Sequence, residues 1–194
     1  MILGITGGTG SGKTTLLQLI EAAGGVILDC DAIYHQLLRD DKDLLSAIEA
    51  RFPGTVLGGQ LDRKRLGEVV FADESALLEL NQITHGAVKQ EVLRILASQP
   101  KLAAIDAIGL FESGLDDLCD VTVAVTAPAE QRIRRLMARD GISYEYAQKR
   151  ICAQHTDDWY REKCTYCLEN DGKLDAFATK CIAFLQRLGI MKAD

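Results

Sequence analysis

Two patterns of apolar residues alternate along the chain. Short, mainly apolar runs lie between longer stretches in which apolar residues repeat every three or four positions. The runs are residues 2–6, 26–28, 102–105, 121–125 and 166–168. Runs that are apolar on both faces and alternate with helices predict an α/β fold, a parallel sheet flanked by helices on both sides.

Two helical stretches, residues 41–98 and 129–163, are longer than a minimal α/β unit needs, so we expect both to project from the sheet. In the first, Pro53-Gly54 and Gly58-Gly59 interrupt the helical pattern, which begins again at Leu61. The last helical pattern, residues 176–188, should stop at Gly189.

Residues 7–14 carry the strongest chemical signal. They read G-x-x-x-x-G-K-T, follow an apolar strand and open a helix, as a phosphate-binding loop does. Glycines allow successive N–H groups to face phosphate oxygens, while Lys13 contacts the β- and γ-phosphates and the Thr14 hydroxyl can bind Mg²⁺. The predicted ATP-binding residues are Gly8, Thr9, Gly10, Ser11, Gly12, Lys13, Thr14 and Thr15.

Asp29 and Asp31 leave the carboxyl end of the second predicted strand, where α/β sheets bind their ligands. We predict that Asp31 accepts or orients the proton of an acceptor hydroxyl and that Asp29 holds Mg²⁺. The alternative is that one of them merely caps a helix that starts near Ala32, since aspartate is a favoured N-cap residue.

Asp106 follows the third apolar run, as the acid that faces Mg²⁺ does in phosphate-loop enzymes, and is a third candidate for the metal. Residues 106–109 also match the D-x-x-G of regulatory GTPases. Neither Asn81 nor Asn170 begins the N-K-x-D motif that reads guanine, which argues against a GTPase.

Arg132, Arg135 and Arg139 recur at helical spacing, so their guanidinium groups should lie near one helix face. Such a face in a mobile segment is typical of a lid that closes on the phosphate loop. The alternative is a solvated helix face with its arginines paired to Glu130, Asp140 or Glu145.

Charge and composition bear on the partners and the location that we expect for this protein. The net charge of −6 argues against a nucleic-acid partner, no apolar stretch is long enough for a membrane span, and no obligate protein partner is evident. The apolar start indicates a strand rather than an export signal, so we expect the 6 cysteines to be reduced and the protein cytoplasmic. Residues 164–167 have C-x-x-C spacing without a second ligand pair, which leaves metal or redox function weakly supported. The three histidines, His35, His85 and His155, are too far apart in the sequence to indicate a metal site.

Several segments together resemble the dephospho-coenzyme A kinases, in order and in spacing, over nearly the whole chain. They are residues 5–14, 26–31, 61–63, 70–71, 110–114, 135–141, 154 and 169–172. The resemblance implies a single domain, 1–194, that transfers the γ-phosphate of ATP, with Mg²⁺, to the 3′-hydroxyl of dephospho-coenzyme A, a small-molecule substrate. Within it, residues 1–32, 99–128 and 164–194 would form the nucleotide-binding core, 33–98 the coenzyme A-binding region and 129–163 the lid.

The resemblance also implies roles for single residues. Asp31 matches the acid near the acceptor hydroxyl, Arg139 a catalytic lid arginine near the ATP phosphates, and Asn170 a loop residue near adenine. The implied acceptor-binding residues are Asp31, Arg63, Phe71 and His85.

The chain departs from the family pattern at three places. Gly86 follows His85 where a proline is usual, and residues 106–112 lack the proline of Asp-x-Pro-Leu-Leu-Phe-Glu. Tyr160 occupies the position of a lid lysine, for which Arg161 or Lys163 could substitute. Two alternatives remain at this stage: another phosphate-loop kinase, of the nucleoside monophosphate or shikimate type, and a nucleotide-dependent switch.

Overall fold

A five-stranded sheet forms the centre of the fold in the computed structural model, which describes residues 1–192 apart from the side chain of Leu174. Its strands are β1 (Ile2–Thr6), β2 (Val26–Asp29), β5 (Ala103–Asp106), β6 (Val121–Thr126) and β7 (Tyr166–Glu169), in the order β2-β5-β1-β6-β7. β1 pairs in parallel with β5 and β6, and β6 with β7. The α/β fold and its five predicted strands are confirmed.

Helices accompany the sheet in the same compact unit, which comprises Met1–Leu28 and the chain from Pro100 onward. They are α1 (Lys13–Ala22), α6 (Ala129–Asp140), α7 (Tyr144–Cys152), α8 (Asp157–Lys163) and α9 (Leu174–Arg187). Buried residues of β1, β6, α1 and α9 form one hydrophobic core, with Ile5, Leu16, Val123 and Phe177 among its members. β1 is therefore anchored on both sides just before the predicted phosphate loop.

A separate small core joins α6 to α7. Ile133 and Leu136 of α6 pack with Ala147 of α7, and all three are buried. Gly141 ends α6 with φ 66°, in the left-handed region that favours glycine, and the Ser143 hydroxyl accepts the N–H of Tyr146 at the start of α7. The predicted lid segment, 129–163, thus forms three helices, α6 to α8, within this unit.

A second compact unit spans Asp29–Gln99. Its elements are α2 (Cys30–Asp40), α3 (Lys42–Arg51), β3 (Val56–Leu57), β4 (Gln60–Leu61), α4 (Arg63–Val70) and α5 (Glu74–Leu96). Its own core contains Leu38, Ile48, Phe52, Leu66 and Leu80. The predicted coenzyme A-binding region, 33–98, lies inside this unit, and residues 193–194 of the predicted nucleotide-binding core lie outside the described residues.

The short hairpin β3–β4 was not predicted. Gly58 and Gly59 form its two-residue turn with φ 58° and 79°, the positive values that such turns require at both central positions. The expected helix at Leu61 begins instead at Arg63, because the Asp62 carboxylate accepts the N–H groups of the two residues after Arg63. Leu61 therefore belongs to a strand.

The remaining bulk predictions concern membranes and thiols. No helix of residues 1–192 combines the length and the apolar character that a bilayer span requires. All six cysteines carry free thiols, and Cys167 lies in β7, where the sequence predicted a strand. Burial raises the pKa of Cys119 to about 12 and that of Cys181 to about 11, so neither is a reactive thiolate near neutral pH.

Phe177 tests the main core. Its side chain is 1% exposed, so Phe177→Ala should lower the free energy of unfolding by about 3–5 kcal/mol through lost burial and an unfilled cavity. The control is Phe71→Ala, the same change at a side chain that is 83% exposed, for which we expect less than about 0.5 kcal/mol. Urea unfolding followed by circular dichroism measures both, and equal losses would contradict this description of the core.

Candidate active site

The loop between β1 and α1 has the backbone of a phosphate-binding loop. Gly7, Gly10 and Gly12 have φ of 128°, 81° and 105°, values that side chains oppose. Gly12 is the N-cap of α1, so the positive end of the helix dipole lies at the loop. Lys13 Nζ donates to the Gly7 carbonyl at 3.0 Å, and Thr14 in the same first turn is exposed.

Close neighbours explain why this loop carries no side chains at its glycines. A Cβ at Gly7 would lie 2.1 Å from the carbonyl oxygen of Val125 in β6, a backbone atom that cannot move aside. At Gly8 it would lie 2.0 Å from Arg132 Nη2. The glycines therefore permit both the turn and the approach of α6.

Thr9, at the middle of the loop, is bound by residues far along the chain. Its N–H donates to Gln154 Oε1 at 2.9 Å, and its hydroxyl oxygen accepts from Gln154 Nε2 at 2.7 Å. Its carbonyl accepts from Arg132 Nε at 3.0 Å. The predicted lid segment thus contacts the phosphate loop directly.

Arg132 is the buried member of the predicted arginine face, with 3% of the residue exposed. Besides Thr9, its guanidinium contacts Gln154 Oε1 at 2.9 Å and the Asp157 carboxylate at 3.5 Å. Burial lowers the pKa of Arg132 from its ordinary value. Burial raises the pKa of Asp157, and the nearby Arg132 charge offsets part of that rise. A planar group with several donors suits this position better than a lysine ammonium would.

The other two arginines differ from each other. Arg135 Nη1 donates to the carbonyls of Gly10 and Ser11 at 3.0 and 3.2 Å, so it also supports the loop. Arg139 does not reach the loop in this structure: its exposed side chain pairs with Asp140 at 2.6 Å. Hydrogen bonding to Arg139 lowers the pKa of Asp140. The solvated-face alternative therefore describes Arg139 here, and not Arg132 or Arg135.

Asn170 follows β7 and is buried beside the loop. Its backbone N–H donates to the Thr126 carbonyl, and its side-chain Nδ2 donates to the Ser11 carbonyl at 2.8 Å. Asn170 Oδ1 and Ser11 Oγ are buried, and neither has a hydrogen-bond partner within residues 1–192. The structure thus gives Asn170 a supporting contact with the loop, and its predicted contact with adenine stays a prediction.

The three predicted metal or acceptor acids occupy different elements. Asp106 ends β5 and pairs in register with Ile5 of β1, so it lies beside the strand that leads into the loop. Asp29 is the N-cap of α2, with its carboxylate accepting the Ala32 N–H at 2.9 Å, and Asp31 is exposed in the first turn. The helix starts at Cys30, two residues before the predicted start near Ala32. The alternative that one of the two acids caps this helix is confirmed for Asp29, so the Asp31 carboxylate is not the cap.

The Asp29–Gln99 unit holds a pocket of its own, about 180 Å³ in volume. Arg63 and Phe71 line it, together with Tyr34 and His35. Burial raises the pKa of Tyr34, partly offset by the Arg63 charge. His85 is half-buried in α5 and is not among the lining residues, so the structure brings together two of the four predicted acceptor residues.

Sequence reasoning missed an aromatic cluster before and within α8. His155 Nε2 lies 2.6 Å from Glu112 Oε1, and its ring stacks on Trp159 with 3.7 Å between centroids. Tyr160 is fully buried beside them; its hydroxyl has no hydrogen-bond partner in the described part of the chain, and burial raises its pKa to about 12. A single sequence offers no signal for contacts that join residues 43 positions apart.

Comparisons with known proteins identify the family of this chain. The family model for dephospho-CoA kinase matches residues 1–176. The chain belongs to the dephospho-CoA kinase family. A relative named dephospho-CoA kinase from Latilactobacillus sakei is 36% identical over 89% of this chain and 88% of its own length. Another, from Thermus thermophilus, is 35% identical over 97% of this chain and 92% of its own.

Solved structures extend the agreement to the fold. The structure of TT1252 from Thermus thermophilus has a TM-score of 0.80 at 35% identity and covers 97% of both chains. The dephospho-CoA kinase from Campylobacter jejuni has a TM-score of 0.70 at 26% identity, with 98% of each chain covered. A shikimate kinase from Bacteroides thetaiotaomicron, at 0.55 and 17% identity over 98% of this chain and 99% of its own, shares the fold alone. Among phosphate-loop kinases, the dephospho-CoA kinase family is therefore favoured over the shikimate type.

Arg132 offers a test of this site. Arg132→Lys should lower the free energy of unfolding by about 2 kcal/mol, because one ammonium cannot serve the three acceptors and leaves buried groups unsatisfied. The matched control is Arg134→Lys on the same helix, whose side chain is 75% exposed and pairs with Glu130; its effect should stay below about 0.5 kcal/mol. Urea unfolding compares the two, and a neutral Arg132→Lys would contradict the network described above.

Proposed function

We propose that this chain transfers the γ-phosphate of ATP to the 3′-hydroxyl of dephospho-coenzyme A, which gives coenzyme A and ADP in the final step of coenzyme A synthesis. The observation that carries the proposal is an intact phosphate loop within a family match over residues 1–176. Family membership supports ATP as the phosphate donor and a small molecule as the acceptor.

The phosphates are assigned to the loop and to the first turn of α1. The dipole at this helix N-terminus favours an anion, and Lys13 would exchange the Gly7 carbonyl for the β- and γ-phosphates. Because a carbonyl contact of an ammonium is weaker than a phosphate contact, this exchange favours bound nucleotide. Asn170 is assigned to the adenine side.

Mg²⁺ fits the donors that are present. The candidates are the exposed Thr14 hydroxyl and the carboxylates of Asp106 and Asp29, all oxygen donors of the kind that Mg²⁺ prefers. Mg²⁺ in kinases is usually held by one or two protein groups and by nucleotide phosphates, which is the arrangement proposed here. When bound, Mg²⁺ would neutralise charge on the transferred phosphoryl group.

Asp31 is assigned to the acceptor hydroxyl. Its exposed carboxylate would accept the hydroxyl proton as the hydroxyl oxygen bonds to the γ-phosphorus. The bond from that phosphorus to the bridging oxygen breaks, and ADP leaves with the electron pair. The assignment draws support from the cap, since Asp29 and not Asp31 serves the helix.

The acceptor itself is assigned to the Asp29–Gln99 unit. Arg63 and Phe71 line one pocket and present a cation and an exposed ring, which suit the phosphate and adenine groups of dephospho-coenzyme A. His85 does not line this pocket, so its place on the acceptor side stays a prediction.

Arg139 is assigned to the phosphates in the closed lid. Its pair with Asp140 is largely exposed on the arginine side, and exposed ion pairs are worth about 0–1 kcal/mol, so exchange for a phosphate contact costs little. A cytoplasmic location, and the absence of nucleic-acid, membrane and obligate protein partners, stay predictions from composition.

The decisive assay measures ADP formation from ATP and Mg²⁺ with dephospho-coenzyme A, adenosine monophosphate, shikimate or no acceptor. We expect acceleration by dephospho-coenzyme A alone, with coenzyme A identified by mass, because the family match extends over both units of the chain. Acceleration by another acceptor instead would keep the kinase and change its substrate. Slow hydrolysis that no acceptor accelerates would favour a nucleotide-dependent switch.

Asp31→Asn tests the proton acceptor. The amide cannot accept the proton, so kcat should fall about 100-fold or more while the Kd of ADP stays near the wild-type value. Asp40→Asn is the control, since Asp40 is also exposed on α2 but lies at its last turn. Steady-state kinetics and calorimetry give the two quantities, and an Asp31→Asn enzyme with normal kcat would remove Asp31 from this role.

A further inference from the structure

Thr9 is the one loop residue whose backbone N–H, carbonyl and side-chain hydroxyl are all bound by the α6–α8 segment among the described hydrogen bonds. Gln154 binds the N–H and the hydroxyl, and Arg132 binds the carbonyl. Its neighbours Gly8 and Gly10 have no side chain by which the loop could be held. The middle of the phosphate loop is therefore held in place through Thr9.

The orientation of the Gln154 amide follows from its partners. Oε1 accepts from two donors, the Thr9 N–H and Arg132 Nη2, each at 2.9 Å. A flipped amide would point its NH₂ group at both donors, so the network permits only one orientation. Arg132 contacts Asp157 and donates to Gln154 Oε1, so it fixes the amide in the orientation that binds Thr9.

The position of Gln154 in the chain gives this contact its significance. It lies two residues beyond the end of α7, and its backbone N–H donates to the Ile151 carbonyl, so the end of the helix positions its side chain. α7 in turn packs on α6 through the small core around Leu136. The Gln154 side chain therefore links the end of α7 to Thr9, beside the direct link from Arg132 of α6.

We propose that Gln154 is a positioning residue for ATP: it holds the phosphate loop in the conformation that receives the nucleotide phosphates. This inference rests on the proposed function, since it concerns the nucleotide of that reaction. A glycine-rich loop loses much conformational entropy when it binds phosphates, and a clamp that orders the loop beforehand reduces that loss. The effect is on nucleotide affinity, so it should spare the acceptor.

Gln154→Ala is the first test. It removes two hydrogen bonds of ordinary strength to Thr9, so the Kd of ADP and the KM of ATP should rise about 10- to 30-fold. The KM of dephospho-coenzyme A should change less than about 2-fold, because the acceptor is not bound by this loop. Gln148→Ala, at an exposed glutamine of α7, is the matched control and should behave as wild type. Calorimetry with ADP and steady-state kinetics with each substrate measure these values.

A double-mutant cycle with Thr9→Val separates positioning from a general loss of stability. Valine keeps the shape and the backbone N–H but loses the hydroxyl that accepts from Gln154 Nε2, so ADP should bind about 3- to 10-fold more weakly. The double variant should bind ADP about as weakly as Gln154→Ala alone, because both changes remove the same contact. Thr9→Val also carries the test if Gln154→Ala does not fold.

Two results would overturn the inference: a folded Gln154→Ala that binds ADP as wild type does, or a cycle in which the two losses multiply. A Gln154→Ala that loses thermal stability but keeps its ADP affinity would likewise reduce the residue to a structural role. Failure of the wild-type chain to bind ADP or ATP would be a different result, since it would remove the proposed function and this inference together.

Discussion

The backbone of residues 7–12 is the constraint on which the rest of the structure depends. Its glycines take φ values that other residues avoid, and a Cβ at Gly7 would lie 2.1 Å from a β6 carbonyl oxygen, so a side chain there is excluded. β1 lies between β5 and β6, and α1 starts at Lys13 and packs in the same core. The buried sheet and the packing of α1 on α9 stabilise the fold and also fix the two ends of this loop.

The phosphate loop also determines where positive charge is needed. The chain carries a net charge of −6, yet its loop is built for a highly negative ligand, so positive charge has to be local. Lys13, Arg132 and Arg135 all donate to loop carbonyls in this structure. These carbonyl contacts hold three cationic side chains beside the loop, which gives the site local positive charge for phosphate.

The sequence predicted what local chemistry determines and missed what distant contacts determine. The five strands and the phosphate loop follow from short apolar runs and one eight-residue motif, and the structure has both. The β3–β4 hairpin was not predicted because each strand is two residues long, too short for an alternating pattern. The contact between Thr9 and Gln154 joins residues 145 positions apart, and no periodicity in a single chain can indicate it.

The departures from the family pattern have a physical counterpart in the aromatic cluster. Tyr160 occupies the position where the resemblance implies a lysine, and it is fully buried against the ring of Trp159. The residues after Asp106 lack a stiffening proline, but Glu112 in that stretch contacts His155, which stacks on Trp159. The polar contact of Glu112 and the packing of Phe111 against Trp159 thus join this stretch to the segment around the start of α8. Tyr160 brings no charge to this position, whereas Lys13 and the α6 residues Arg132 and Arg135 place positive charge beside the phosphate loop.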